Sequence, residues 1–435
     1  MMSVRGEGEA VDSLWAITAG REQLAQTPLI GDRECDALII GAGLAGLSTA
    51  LAAAGSGART LVLEAATVGW GASGRNNGQV IPCLSRSDPE ALIAAFGERR
   101  GTAFVELVRD SAQEVFDLVR RHGIECDAVQ NGWLQPAHRA SRLAVSSSRC
   151  RQWLQHGAPV SLLDAGEIHR ATGSGYWHGG WFNPSGGHLN PLAFSRGLAR
   201  AAVEAGAQLY CASPALSLER KGADWVATTP RGRVRARRVL IATNAYSTPL
   251  WPGLVQSIVP VRCYQLATPV LPDAVFDAIM PADFALSDTH GDLYFCRRTA
   301  DRRLVTGGAL LLHHNARQRL GQRIRQRMEM LFPPLAEMGD WRFEHFWQGD
   351  LAMTADALPH VHELADGLFA WMGCNGRGVA LATALGRPLA QALTGTPLAD
   401  LPLPLAPLRP IALHAVARRV APWMLLPYRL ADERD

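Results

Sequence analysis

The residues of this chain best suited to chemistry are small ones. Gly41, Gly43 and Gly46 stand in the spacing G-x-G-x-x-G, with Leu44 and Ala45 inside it. The run follows the short apolar stretch DALII (36–40) and opens the helix-forming, Ala-rich LSTALAAAG. Between a strand and a helix each glycine has a task. The first makes the tight turn, the second lets the backbone approach a pyrophosphate, and the third packs helix on strand. The helix N-terminus then offers free N–H groups and a positive dipole end to an anion. ARTLVLEA (58–65) reads as a second strand and ends at Glu64, where an acid that accepts from a ribose belongs. By itself the spacing also fits a tight turn beside a surface glutamate. In this context it predicts a dinucleotide site, and an acid at 64 favours a free ribose diol, so FAD or NAD rather than NADP.

The stretch GWGASGRNNGQVIP (69–82) follows directly and separates those two. In a simple NAD domain the second strand leads into another crossover. Here it leads into small residues around one cation and two amides, which permit close backbone approach to a flat ring. Ala72, Ser73 and Arg75 are placed to meet a pyrophosphate and ribityl chain, and Asn76, Asn77 and Gly78 to lie under an isoalloxazine. A second glycine cluster, MGCNGRGVAL, holds Gly373, Asn375, Gly376, Arg377, Gly378 and Val379 and opens a helix. That helix end would face the flavin N1/C2=O edge, with Arg377 adding charge. Either cluster alone reads as an ordinary glycine turn. Two of them at opposite ends of the chain point to bound FAD.

The elements that must position these residues follow from the bulk pattern. With 435 residues, 48% of them hydrophobic, the chain suggests two domains or one interleaved pair. A net charge of +3 and the lack of a basic stripe with interleaved aromatics argue against a nucleic-acid partner. Eight cysteines are scattered with no C-x-x-C pair, so neither a zinc site nor a disulfide framework is expected, and reduced thiols in a cytoplasm are. The N-terminal MMSVRGEGEAVDSLW lacks the apolar run of a signal peptide, residues 1 to 33 read as a loose lead-in, and no apolar run is long enough to span a membrane. Asp88 to Gly123 reads as helix, 190–211 as helix then strand, 213–246 as a β-meander, and 256–312 as β-rich. A basic helix is expected over 313–332, and strand, glycine turn and long helix over 367–393.

IIGAGLAGLSTA, VLEA, GWGASGRNNGQ, GGHLNP, VLIATNAY, YFCRR, WQGDLAMTADALPHV and GCNGRGVAL come in an order that resembles the D-amino-acid oxidase-like flavoproteins over about residues 34 to 395. Within that superfamily the chain looks most like the branch containing gamma-glutamylputrescine oxidoreductase and pipecolate oxidase. The resemblance implies an α/β, Rossmann-like FAD-binding domain (31–90, 188–255 and 345–400) interleaved with an antiparallel β-rich substrate domain (91–187 and 256–344), then a tail, 401–435. It implies that Ala215 flanks the adenine. It also implies oxidation of a C–N bond, by hydride transfer from a neutral amine to flavin N5 and hydrolysis of the imine. No nucleophile is required, so the substrate-side candidates are His188, Tyr264 and Tyr294, with Arg377. His188 reads equally well as a hydrogen-bonded structural histidine, and the tyrosines as core aromatics.

Further expectations come from departures within the resemblance. A relative tethers its flavin through a cysteine at a place held here near Gly349, and the nearest cysteines, Cys296 and Cys374, lie in other motifs, so non-covalent FAD is expected. Glycine oxidase relatives clamp a carboxylate with an arginine where this chain has Leu351, which argues for an amine or a longer N-substituted amino compound. Arg262, Arg297 and Arg298 remain as other sources of a clamp. Some relatives activate oxygen with a lysine; the one lysine here, Lys221, sits in a polar hairpin, so the acceptor stands open between O₂ and a quinone. The other readings are a D-amino-acid dehydrogenase feeding a quinone, a flavin-binding redox sensor without catalysis, and a nicotinamide-driven reductase, the last disfavoured by the lack of a second G-x-G-x-x-G unit. The tail IALHAVARRVAPWMLLPYRL has an apolar face with Arg418, Arg419 and Arg429, which suits a weak peripheral membrane contact. Pro422 and Pro427 interrupt a long helix and favour packing on the protein body or on a second subunit.

Overall fold

A computed structural model of the chain describes residues 13–21, 24–292, 294–424, 426, 427, 430 and 432. Most of the charged N-terminal stretch and Arg429 lie outside the described residues. The DALII run is the inner part of a strand, Arg33–Ile40, whose Ala37, Leu38 and Ile39 are fully buried. A parallel strand covered on both faces needs such a run. Its parallel neighbours give the order Leu368–Met372, Gly232–Ile241, Arg33–Ile40, Thr60–Leu63, Gln208–Tyr210. The strand His360–Ala365 adds an antiparallel edge, and the hairpin Ser217–Lys221 with Asp224–Thr229 pairs with the start of Gly232–Ile241. The helix Leu44–Gly55 packs on Pro191–Glu204 on one side and Gly386–Thr394 on the other.

A second sheet has the order His345–Met353, Val259–Ala267, Leu304–Gly308, Phe295–Arg298, Ala285–Ser287, Trp133–Pro136, Gly179–Asn183, Ser161–Asp164. It is antiparallel except for the pair Ala285–Ser287 and Trp133–Pro136. Leu320, Ile324 and Met328 of the basic helix Ala316–Leu331 bury one stripe in its core. Arg317, Arg319, Arg323 and Arg325 occupy other positions, as an amphipathic surface helix requires, while Arg327 is buried and donates to the Gly307 carbonyl.

Several elements differ from expectation. The strand His345–Met353, grouped by sequence with the nucleotide sheet, is paired along its length with Val259–Ala267 of the second sheet. The helix Glu98–Arg121, grouped with the substrate side, packs on Gly378–Ala384 beside the nucleotide sheet. The helix expected from Asp88 is two helices, because Gly97 turns the chain at φ +81°. The long C-terminal helix is also two, Gly378–Ala384 and Gly386–Thr394, and Gly386 has no room for a Cβ, which would lie 2.5 Å from Ser48. The lead-in is not loose from Ser13 onward: Leu14 and Trp15 are buried in a short helix, Leu14–Thr18.

Candidate cofactor and substrate cavity

The carboxyl ends of the parallel strands open onto one cavity of about 1180 Å³ shared with the second sheet. That exceeds the roughly 300–1,000 Å³ usual for a small ligand, and suits an extended dinucleotide with a substrate beside it.

At one end the chain turns from Ile40 into the helix Leu44–Gly55. Gly41 takes φ +111°, and a Cβ on Gly46 would lie 2.0 Å from the Gly41 carbonyl, so the first and third glycines do the turning and packing. The helix has no side-chain N-cap. The Leu44 N–H donates to Ser73 Oγ at 3.0 Å, while among the described residues no acceptor takes the N–H groups of Ala45 and Gly46. Such unmet donors at a helix N-terminus are an anion site. Glu64 accepts from the Ala42 N–H at 2.8 Å and the Ala66 N–H at 2.9 Å, and burial pushes its carboxyl above the usual range. Each carboxylate oxygen keeps a lone pair for a hydroxyl. Ala215 lines the same end with Ala65 and Ala66.

The 69–82 loop explains its composition. Gly69 sits at φ +68°, and a Cβ on Gly74 would lie 2.4 Å from the Gly69 carbonyl. The two amides knot the chain locally: Asn76 Oδ1 accepts from the Gly78 N–H and Asn77 Oδ1 from the Gln79 N–H, at 2.7 and 2.9 Å. Three successive carbonyls are then gripped by side chains from distant segments. Trp347 Nε1 donates to Arg75 O at 2.8 Å, Trp15 Nε1 to Asn76 O at 2.7 Å, and Arg297 Nε to Asn77 O at 2.5 Å. Arg75 stacks its guanidinium 4.4 Å from the centre of the Trp70 ring and donates to the Trp70 carbonyl. The backbone is held as a rigid floor on the cavity side.

Opposite, Asn375, Gly376, Arg377, Gly378 and Val379 line the cavity. Arg377 is buried above the Trp133 ring at 5.3 Å, and burial lowers its pKa, with Arg149 adding repulsion. Among the described residues no carboxylate pairs with it. A buried, unpaired cation facing a cavity calls for an electron-rich partner, and a flavin pyrimidine edge is one. The donors, the acid and this cation together fit FAD.

Of the expected cofactor residues, Gly41, Gly43, Leu44, Ala45, Glu64, Ala72, Ser73, Arg75, Asn76, Asn77 and Ala215 also line the cavity. Gly46, Gly78 and Gly373 stand behind its wall. A Cβ on Gly78 would meet the Leu189 carbonyl at 2.0 Å, and one on Gly373 would meet Thr354 at 2.3 Å. The substrate-side nominees fall elsewhere. Alternation along Val259–Ala267 sends Val259, Val261, Cys263 and Gln265 to the cavity and Tyr264 to the other face. The Tyr264 hydroxyl pairs with His313 Nδ1 at 2.8 Å. Tyr294 stacks on His290 at 3.8 Å, under Arg327. His188 is buried between Asp283, 3.0 Å from Nε2, and Arg297, 3.3 Å from Nδ1; burial lowers its pKa. The guanidinium can only donate, so this network assigns the neutral ring with its proton on Nε2.

The residues missed by sequence are Trp15, Trp347 and Cys263. The tryptophans act through carbonyls that no motif marks. Cys263 is the cross-strand partner of Gly349, a pairing invisible until the register is known.

Residues 36–392 match the family described as FAD dependent oxidoreductase (DAO). The chain is 30% identical over 370 residues to the probable oxidoreductase OrdL of Rhizobium meliloti, covering 84% of each chain. It is 28% identical over 363 residues to the gamma-glutamylputrescine oxidoreductase of Escherichia coli, covering 83% of this chain and 84% of that one. Its fold is similar to that of glycine oxidase from Geobacillus kaustophilus, with a TM-score of 0.69 at 21% identity over 84% of this chain and 96% of the other. It is also similar to that of L-amino acid deaminase from Proteus vulgaris, with a TM-score of 0.72 at 17% identity over 87% and 95%.

Proposed function

The chain belongs to the family of FAD-dependent oxidoreductases, and from that premise we propose that it oxidises a C–N bond of an amine, or of an N-substituted amino compound, to an imine that water hydrolyses. FAD supplies the hydride acceptor. The chain's own part is to hold the cofactor rigidly, shield it and orient the amine. The kinship with gamma-glutamylputrescine oxidoreductase supports an amine substrate.

The observation that carries the reading is the absence of the expected carboxylate clamp. Leu351, which stands where the resemblance to glycine oxidases leads one to expect an arginine, lines the cavity. None of the three alternative arginines lines it. Arg262 is paired with Asp350 at 3.0 Å, Arg297 is spent on backbone carbonyls, and Arg298 lies over Phe276 at 3.7 Å. A bidentate arginine is the natural partner of a carboxylate, so none of these four positions offers a small free α-amino acid an anchor of that kind; among the described residues the arginines that line the cavity are Arg75, Arg86 and Arg377. The test is the rate of anaerobic flavin reduction by amines against glycine and D-alanine. The reading expects the best amine to lead clearly; equal rates with glycine or D-alanine would refute it.

A non-covalent flavin is supported by Cys263. Burial, then Asp350, Asp292 and Cys374, push its thiol up to about 12, and a protonated thiol is a poor nucleophile. Slow reaction with O₂ and a preference for a quinone are supported by Lys221, which is exposed in the Ser217–Thr229 hairpin and does not line the cavity. Losing one donor to a developing anion costs about 10²–10³ in rate. Stopped-flow reoxidation by aerated buffer and by a soluble quinone separates the two acceptors. None of the eight cysteines is in a disulfide, which supports a cytoplasmic protein.

A further inference from the structure

The C-terminal segment lies beyond the matched residues 36–392. It is a strap fixed at both ends. At its start the Ile411 N–H donates to Gln256 O at 2.8 Å, and His414 Nε2 pairs with Ile258 O at 2.8 Å. The helix His414–Val420 and the turn Ala421–Met424 then run against the strand Val259–Ala267. Near its end the Asp432 carboxylate accepts the Gly291 N–H at 2.9 Å and the Asp292 N–H at 3.3 Å, and Arg139 donates to the Asp432 carbonyl. Gly291 and Asp292 line the cavity, as do Ile411, Ala417, Val420 and Ala421 of the strap itself. One face of the strap therefore forms part of the cavity wall.

The other face is apolar and open. Leu413 is 79% exposed, Val416 51% and Trp423 49%, and Leu426 and Leu430 are exposed as well. Residues 406 to 435 include five arginines, at 409, 418, 419, 429 and 434, and three acids, all in the last four positions, Asp432, Glu433 and Asp435. We propose that this outer face docks the protein on an anionic lipid surface. Apolar side chains, a tryptophan and neighbouring arginines are what an interfacial segment uses: buried apolar area for depth and cations for the headgroups. A second copy of the chain is the poorer occupant. Across a two-fold axis the same patch meets itself, and Arg418 and Arg419 would face their own like charges. Because the strap's inner face lines the cavity, docking brings the cavity wall to the lipid, where an apolar electron acceptor dissolves. That last consequence rests on the proposed reaction; the docking does not.

The test uses flavin-loaded, full-length protein and sedimentable vesicles, either of phosphatidylcholine alone or of phosphatidylcholine with phosphatidylglycerol. Binding is expected on the anionic vesicles at low salt and is expected to weaken as salt rises. Arg418→Gln with Arg419→Gln should weaken it about 25-fold, or about fivefold per charge, with the flavin spectrum unchanged. Trp423→Ser should weaken it too. Arg317→Gln with Arg319→Gln, on the separate basic helix, should leave it unaltered. The proposal is overturned by any one of three results: no binding to anionic vesicles at low salt, equal binding to neutral ones, or an equal loss from the Arg317/Arg319 pair. A dimer in sedimentation velocity that Trp423→Ser abolishes, with no lipid binding, would overturn it in favour of a second copy.

Discussion

The two walls of the cavity are built on different principles. The proposed cofactor wall is largely backbone, with the side chains of Glu64 and Arg377 added: glycine turns, a helix N-terminus, and a loop whose carbonyls at 75, 76 and 77 are each held by one distant side chain. The proposed substrate wall is side chains from alternate positions of one strand, Val259, Val261, Cys263 and Gln265, with Leu351 and the C-terminal strap, all lining the cavity. Backbone donors cannot be mutated away and need particular small residues around them, so the cofactor wall is written in motifs. Side chains on a strand can vary without disturbing the ladder, so the substrate wall is free to change with the substrate. The two walls should therefore also fail differently. Damage to the first costs the cofactor, and damage to the second changes what is oxidised.

The sharpest break of the cofactor wall is Glu64→Ala. A charge-assisted hydrogen bond contributes about 1.5–3 kcal/mol, so loss of two to a ribose should weaken FAD binding at least about 100-fold, read by titrating apoprotein with FAD. Next comes the loop clamp. Arg297→Met leaves the Asn77 and Leu189 carbonyls without their donor. It should weaken FAD binding by about 10- to 100-fold, since buried acceptors left unmet cost about 1–3 kcal/mol each. Trp347→Phe removes one neutral bond and should cost about fivefold, near 1 kcal/mol. If Arg297→Met and Trp347→Phe leave affinity alone and change substrate preference, the division between the walls is wrong.

The substrate wall is probed by Leu351→Arg. The new guanidinium would face the cavity without a designed partner, and the ratio of flavin reduction by D-alanine to that by the best amine should rise about tenfold, with FAD affinity unchanged, because one good bidentate pair is worth about 1.5–3 kcal/mol. An unchanged ratio would mean that Leu351 does not stand where the substrate's carboxyl end lies.

The smallest effect concerns pH. His188 is held neutral between Asp283 and Arg297, and burial lowers its pKa. A group with a lowered folded pKa contributes stability that is present above its unfolded value, about 6.5, and is lost as pH falls below that toward the folded value. Folding stability should therefore decline below about pH 6.5, and His188→Gln should flatten that dependence, as followed by thermal unfolding across pH.

What was legible follows the same division. The G-x-G-x-x-G run, Glu64 and the 69–82 loop could be read because each demands a residue type at a fixed place. The interleaving of a nucleotide-binding part with a β-rich part was expected only from the resemblance of the ordered motifs to the family. The side of a strand was not: Tyr264 carries a polar tip and looks functional, yet one residue of register sends Cys263 to the cavity and Tyr264 to the core. Gly349 and Cys263 are 86 positions apart and become neighbours only through pairing. Trp15 sits in a polar lead-in, and nothing local marks the carbonyl it holds.

The central claim is that this cofactor wall serves amine oxidation, and anaerobic titration of the purified protein tests it directly. The account predicts a yellow protein whose long-wavelength flavin absorbance bleaches with a stoichiometric amount of a suitable amine and returns when an acceptor is added. A protein that holds FAD and yet is reduced by no member of a broad panel of amines and N-substituted amino compounds would contradict it.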